Sequence, residues 1–197
     1  MTQYKREPLN SDEEVRLRAN CRKPEEILCV ILFLETGARL SELAELRPEQ
    51  IDWQSRRLTI YGKGGGAGHN SKRRVIPLSD EAHACLARYS FLLQDGRNGD
   101  ATWVTPRTIE RVVARCANRA HIIRKCSPHV LRHTFAVNCL LKGIDIRTLM
   151  ILLGHENIQT TMKYLNFAPE LVCEQFTKKW VKDERTRYPW EPTKKGV

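Results

Sequence analysis

No apolar run in this sequence approaches the length needed to cross a bilayer, and its opening stretch, MTQYKREPLNSDEE, has no apolar segment of the kind a secretion signal carries. Neither a membrane span nor export is expected, and a cytoplasmic location is. Acidic residues are scarce beside basic ones, 23 Asp and Glu against 33 Lys and Arg, for a net charge of +10. Such an excess points to a polyanionic partner, and with no membrane signal that partner is nucleic acid. C-x-x-C spacing never occurs. The seven cysteines (Cys21, Cys29, Cys85, Cys116, Cys126, Cys139, Cys173) are odd in number and scattered, so they read as reduced, mostly buried thiols. Internal repeats, low-complexity tracts, a Walker lysine motif and the paired carboxylates of a metal-dependent nuclease are also missing. Gly62 to Ala67 formally fits G-x-G-x-x-A, but a strand pattern follows where a dinucleotide fold needs a helix. His129 and His133 stand four apart as in zinc proteases, yet Val130 holds the place where that chemistry needs a glutamate. No metal and no cofactor is expected.

With 197 residues, 41% of them hydrophobic, the chain can bury one core without staples. Asn10 before Ser11, Asp12, Glu13 and Glu14 is a helix start. Ile27 to Glu35 is nearly continuous apolar sequence and predicts a core helix stopped at Gly37, after which helical spacing resumes in ARLSELAELRP until Pro48. Two strand-like runs, Arg57 to Tyr61 and Arg73 to Leu78, flank a glycine-rich loop and predict a hairpin. Helical patterns then cover Ser79 to Gln94, Thr105 to Ala120, Pro128 to Leu141, Ile146 to Leu153, Ile158 to Leu165 and Pro169 to Val181. The fold class is α+β, mainly α, with one small antiparallel sheet. Residues 182–197 are polar, contain two prolines and lack periodicity, which predicts a mobile tail.

Positive charge concentrates in two places. Between Arg56 and Arg74 lie six basic residues (Arg56, Arg57, Lys63, Lys72, Arg73, Arg74) and no acidic one. On the helix after Thr105, Arg107, Arg111, Arg115 and Arg119 recur every fourth position along one slowly drifting face. Like charges so spaced weaken a helix slightly, which an adjacent phosphate backbone would offset. Arg57, Lys72, Arg73, Arg74, Arg107, Arg111 and Arg115 are the candidate DNA contacts.

Three short stretches carry the chemistry: GARLSEL at 37–43, His129-x-x-Arg132 within SPHVLRHTFA, and LLGHENIQTTMKYLN at 152–166. In order and spacing they resemble the motif boxes of the tyrosine recombinases, the phage-integrase family, over about residues 9–181. The resemblance implies a mainly helical catalytic domain that breaks and rejoins double-stranded DNA through a covalent 3′-phosphotyrosine. It implies Tyr164 as nucleophile, Arg39 and Arg132 as the phosphate clamp, His129 as proton acceptor, His155 as a hydrogen-bond donor to the reacting phosphate, and Lys63 as the general acid, with Lys72 an alternative. Physical chemistry asks for the same residue types. Guanidinium forks match phosphate and stay charged, while a phenol of pKa about 10 needs a proton acceptor and cationic surroundings to attack at neutral pH. Tested one at a time, each residue has a plainer role: Arg39 pairing with Glu42, His129 capping a helix, Tyr164 half buried in the core. His133 reads as packing support.

The resemblance also implies that residues 1–181 are a catalytic domain without the N-terminal core-binding domain that family members usually carry. A tetrameric assembly on DNA through the helix at 167–181 is implied too, Phe167, Leu171, Val172, Phe176 and Trp180 being its apolar positions. A DNA-binding module without strand exchange, or a topoisomerase-like relaxing activity, are the alternative functions.

Overall fold

Between Ile27 and Leu34 every residue is apolar, which leaves a helix no solvent face. The computed structural model describes residues 7–62, 73–94 and 103–167. In chain order its elements are α1 (Ser11–Ala19), α2 (Pro24–Thr36), α3 (Leu40–Ala44), β1 (Ile51–Asp52), β2 (Arg57–Tyr61), β3 (Arg73–Pro77), α4 (Asp80–Tyr89), α5 (Pro106–Arg119), α6 (Pro128–Leu141), α7 (Ile146–Leu153) and α8 (Gln159–Met162). Short 3₁₀ turns occupy Pro48–Gln50, Ser90–Gln94 and Lys163–Phe167. The hairpin tip with Lys63 and Lys72, the expected helix at 169–181 and the tail lie outside the described residues.

The central helix α2 starts with Pro24 in its first turn, beside Glu25 and Glu26, and ends at Gly37 with φ 59°. Leu28, Cys29, Val30, Leu32 and Phe33 are fully buried, and the helix packs on α4, α5 and α6. Each such large apolar side chain contributes roughly 1.5–3 kcal/mol by leaving water. Glu26, also fully buried, accepts from the amides of Arg22 and Lys23 and from Arg119 and Arg115 on α5. Burial pushes its carboxyl up, but those partners hold it below the ordinary value. A second cluster, formed by Phe135, Val137, Leu140, Leu149, Leu153 and Tyr164, joins α6, α7 and the last 3₁₀ turn.

The sheet has strand order β1-β2-β3, antiparallel throughout, with Ile60 opposite Arg74 and Tyr61 opposite Arg73. Leu58, Ile60, Arg74 and Ile76 point inward, whereas Arg57, Tyr61, Arg73 and Val75 face out. The two-residue β1 was not expected from the sequence. ARLSELAELRP forms a helix of only five residues, and at its end the Leu43 carbonyl accepts from the Leu46 amide at 3.3 Å and from the indole of Trp103 at 2.7 Å. Pro128–Leu141 and Ile146–Leu153 match the sequence reading at both ends, whereas the helix expected from Ser79 to Gln94 passes into a 3₁₀ turn at Ser90. The expected helix from Ile158 splits into α8 and a 3₁₀ turn, with Asn157 Oδ1 accepting from the Gln159 amide at 2.8 Å.

Two glycines test this packing. A Cβ on Gly37 would sit 2.3 Å from the Phe135 ring, at a positive φ, whereas one on Gly143 (φ 85°) would meet nothing within 4 Å. Gly37→Ala is expected to cost about 2–4 kcal/mol, left-handed strain plus overpacking, and Gly143→Ala only about 1–2 kcal/mol. Urea denaturation of both variants compares the two.

Candidate active site

The end of α7 organises the site. Asp145 starts this helix, its carboxylate accepting from the amides of Arg147 and Thr148. Gly154, at φ 63°, stops it: the His155 amide returns to the Met150 carbonyl at 3.1 Å and the Gly154 amide to that of Ile151 at 3.0 Å, a Schellman closure. The next three carbonyls each accept from a different arginine. Leu152 takes Arg74 Nε at 2.9 Å, Leu153 takes Arg132 Nη2 at 2.6 Å, and Gly154 takes Arg39 Nη2 at 2.8 Å. Carbonyls at a helix C-terminus carry the negative end of its dipole, so cations are favoured there.

The arginines arrive from distant parts of the chain. Arg132, on α6 and 4% exposed, also donates from Nη1 to the Gly37 carbonyl, so it bridges the glycine-stopped ends of α2 and α7. Burial, then the charges of Arg39 and Arg74, lower its pKa to about 10 against a pull from Glu42, which leaves it charged at neutral pH. Arg39 is the N-cap of α3 and donates from Nη1 to Glu42 Oε1 at 2.8 Å, while its side chain stays 41% exposed toward the cavity. The plain pairing with Glu42 and a position in the pocket are therefore both present. The Glu42 side chain is 2% exposed and receives four donors: the Arg39 amide, Arg39 Nη1, and Arg74 Nη1 and Nη2, each of the last two at 2.7 Å. Burial pushes this carboxyl up, but Arg74 first and Arg39 second outweigh it and hold it at about 2.

His155 follows the α7 stop directly. Its Nε2 lies 3.2 Å from Arg132 Nη2 and its Nδ1 2.9 Å from Thr161 Oγ1. A guanidinium can only donate, so Nε2 accepts and the proton sits on Nδ1, facing Thr161. In the DNA-free state the ring nitrogen on the arginine side is thus an acceptor. Burial first, then Arg132 and Arg39, lower the His155 pKa to about 4. Tyr164, on the 3₁₀ turn after α8, is 1% exposed, its ring parallel to that of His155 at 6.5 Å and tilted against His133 at 5.2 Å. Burial raises the phenol above its ordinary value, with Arg132 and Arg39 pulling the other way. His129 is exposed on the first turn of α6, edge-to-face with His133 at 4.3 Å, and His133 is the buried packing residue the sequence led us to expect.

Arg39, His129, Arg132, His155 and Tyr164 line one cavity of about 880 Å³, together with Lys125 and Lys163, neither of which the sequence singled out. Lys63 and Lys72 lie outside the described residues. Of the candidate DNA contacts, Arg57 and Arg73 are exposed on the outer sheet face, and Arg107 and Arg111 on α5. Arg115 is exposed too, with Nη1 3.5 Å from Glu26 on α2. Arg74 is a correction: strand parity turns it inward, where it is 7% exposed and held by Glu42. The roles of Arg74, Glu42 and Thr161 were missed. The alternation of Arg74 with Ile76 was the available signal.

The sequence profile of the phage integrase family matches residues 7–170. The tyrosine recombinase XerA of Pyrococcus furiosus is 34% identical over 145 residues, covering 70% of this chain and 48% of that protein. A crystal structure of a XerA recombinase superimposes with a TM-score of 0.74 at 29% identity, over 92% of this chain and 66% of the other. The catalytic domain of bacteriophage HP1 integrase does so with a TM-score of 0.63 at 29% identity, over 88% of this chain and 94% of the other. The chain spans about half the length of the curated relatives it matches.

Two titrations follow from the geometry. A carboxyl held at about 2 stabilises the fold fully above its unfolded value near 4.5, and that contribution disappears as pH falls toward 2. Glu42→Gln is expected to cost about 3 kcal/mol at pH 7, with the gap to wild type closing between pH 4.5 and 2 in denaturation series. Nitrogen-detected NMR of the His155 ring is expected to show a neutral Nδ1–H tautomer at pH 6 and protonation only near pH 4.

Proposed function

The chain belongs to the phage integrase family, and from that premise we propose that it cuts and rejoins double-stranded DNA at specific sites through a tyrosine-linked intermediate. The observation that carries the reading is the meeting of two arginines, two histidines and a tyrosine, from three separate stretches of sequence, around one cavity. Tyr164 Oη attacks the scissile phosphorus, the Oη–P bond forms and the P–O5′ bond breaks. The phenolic proton passes to His129, and the 5′ oxygen takes a proton from the general acid, assigned by resemblance to Lys63 with Lys72 the alternative. Arg39 and Arg132 stabilise the charge that grows on the non-bridging oxygens. Because the phosphodiester energy is kept in the phosphotyrosine, a 5′ hydroxyl can reverse the step without nucleotide hydrolysis.

The net charge of +10 and the exposed Arg57, Arg73, Arg107 and Arg111 support a duplex substrate. In this reading residues 1–181 are the catalytic domain, copies assemble on DNA through the segment at 167–181, and the protein works in the cytoplasm. No helix among the described residues is long and apolar enough to cross a membrane.

The test uses a pool of nicked suicide duplexes of randomised sequence, in which the short downstream fragment carrying the freed 5′ hydroxyl diffuses away and religation is blocked. Wild-type protein is expected to yield a DNA-linked species that survives denaturation, and Tyr164→Phe none. Tight DNA binding by the wild type with no linked species would overturn strand cleavage in favour of a binding module.

A further inference from the structure

Arg74 is a buried cation with every arm engaged, and nothing in the family chemistry above uses it. It stands on β3, inward with Ile76, and its side chain is 6% exposed. Both Nη groups reach the Glu42 carboxylate at 2.7 Å, one to each oxygen, and Nε reaches the Leu152 carbonyl at 2.9 Å. Glu42 in turn holds the Arg39 amide at 2.6 Å and Arg39 Nη1 at 2.8 Å. Leu152 precedes Leu153 and Gly154, whose carbonyls hold Arg132 and Arg39. A Cβ on Gly154 would lie 3.0 Å from Arg74 Nη1, so the guanidinium packs directly against the turn that launches His155.

We infer that Arg74 is a positioning residue for the strand-cleavage site: it fixes the Glu42 carboxylate and the end of α7 together, and through them sets Arg39 and His155. This rests on the cleavage reading. A side chain so enclosed touches neither phosphate nor the reacting atoms, and its planar fork does what a lysine cannot, since a single ammonium cannot span both carboxylate oxygens and the carbonyl in one plane.

The experiment compares wild type, Arg74→Lys, Arg74→Met and Arg74→Met with Glu42→Gln on a nicked duplex that the wild type captures. Three quantities are read: the linkage rate at saturating DNA, the Kd, and the slope of log Kd against log salt. Misplacing a clamp by about an ångström costs on the order of a hundredfold in rate. Arg74→Lys and Arg74→Met are therefore expected to slow linkage at least about tenfold, with Kd within about twofold and the salt slope unchanged. Adding Glu42→Gln to Arg74→Met is expected to cost little more, because the two residues act through one contact. A rate within about twofold of wild type overturns the proposal, as does a salt slope smaller by about 0.9, which would make Arg74 a phosphate contact. If Arg74→Met does not fold, Arg74→Lys decides by the same criteria. Wild type that forms no linked species refutes the cleavage reading instead. Positioning is then read in DNA-free protein, where the Arg39 guanidinium protons should exchange slowly in wild type and quickly in Arg74→Lys. Equal exchange in the two overturns it.

Discussion

The structure depends on how one short helix ends. An α-helix leaves its last carbonyls without backbone donors, and around a left-handed glycine the stop of α7 satisfies only those of Met150 and Ile151 by return bonds. The three acceptors that follow would be costly to bury alone. Guanidiniums from β3, α6 and the loop before α3 supply the donors, so elements far apart in sequence are tied to one turn. What satisfies the backbone also assembles the cations. Arg132 extends the tie to Gly37, the equivalent stop of the central helix, which makes the position of the pocket a property of the main core and not of a surface loop.

Such an arrangement separates the roles of similar residues. Arg132 and Arg74 are both buried arginines, but Arg132 borders the cavity and carries a depressed pKa, whereas Arg74 faces a carboxylate that neutralises it. Arg39 is bound to Glu42 and to the Gly154 carbonyl, yet its side chain stays 41% exposed. Tyr164 is enclosed by His133 and His155 in a setting that keeps the phenol protonated when no DNA is bound. In the proposed reaction, attack therefore requires a bound phosphate to change the electrostatics around Oη first. The neutral His155, bonded through Thr161 to the helix that leads to Tyr164, links the ring's orientation to the tyrosine's segment.

Much of this was legible in the sequence wherever a local rule decided the outcome. Gly37 was readable as a helix stop because a positive φ belongs there, and Asn10 with its acidic followers as a helix start because capping is local. The proposed clamp residues were picked out by order and resemblance, since nothing in the residue types alone tells a clamp arginine from a surface one. Arg74 was misread because a run of basic residues, Lys72 to Arg74, was treated as one patch, although alternation along a strand sends neighbours to opposite faces. The engagement of Arg115 and Arg119 by Glu26 was not legible either, because it depends on how α5 crosses α2. The two-residue β1 is too short to leave a pattern.

Around the α7 terminus Arg39 and Arg74 share a single carboxylate, Glu42, while Arg132 is held on backbone carbonyls. The charges of Arg39 and Arg74 help depress the Arg132 pKa, so their repulsion is a standing load on the fold. In the proposed reading a bound phosphate relieves that load, and occupancy and thermal resistance become two faces of one equilibrium.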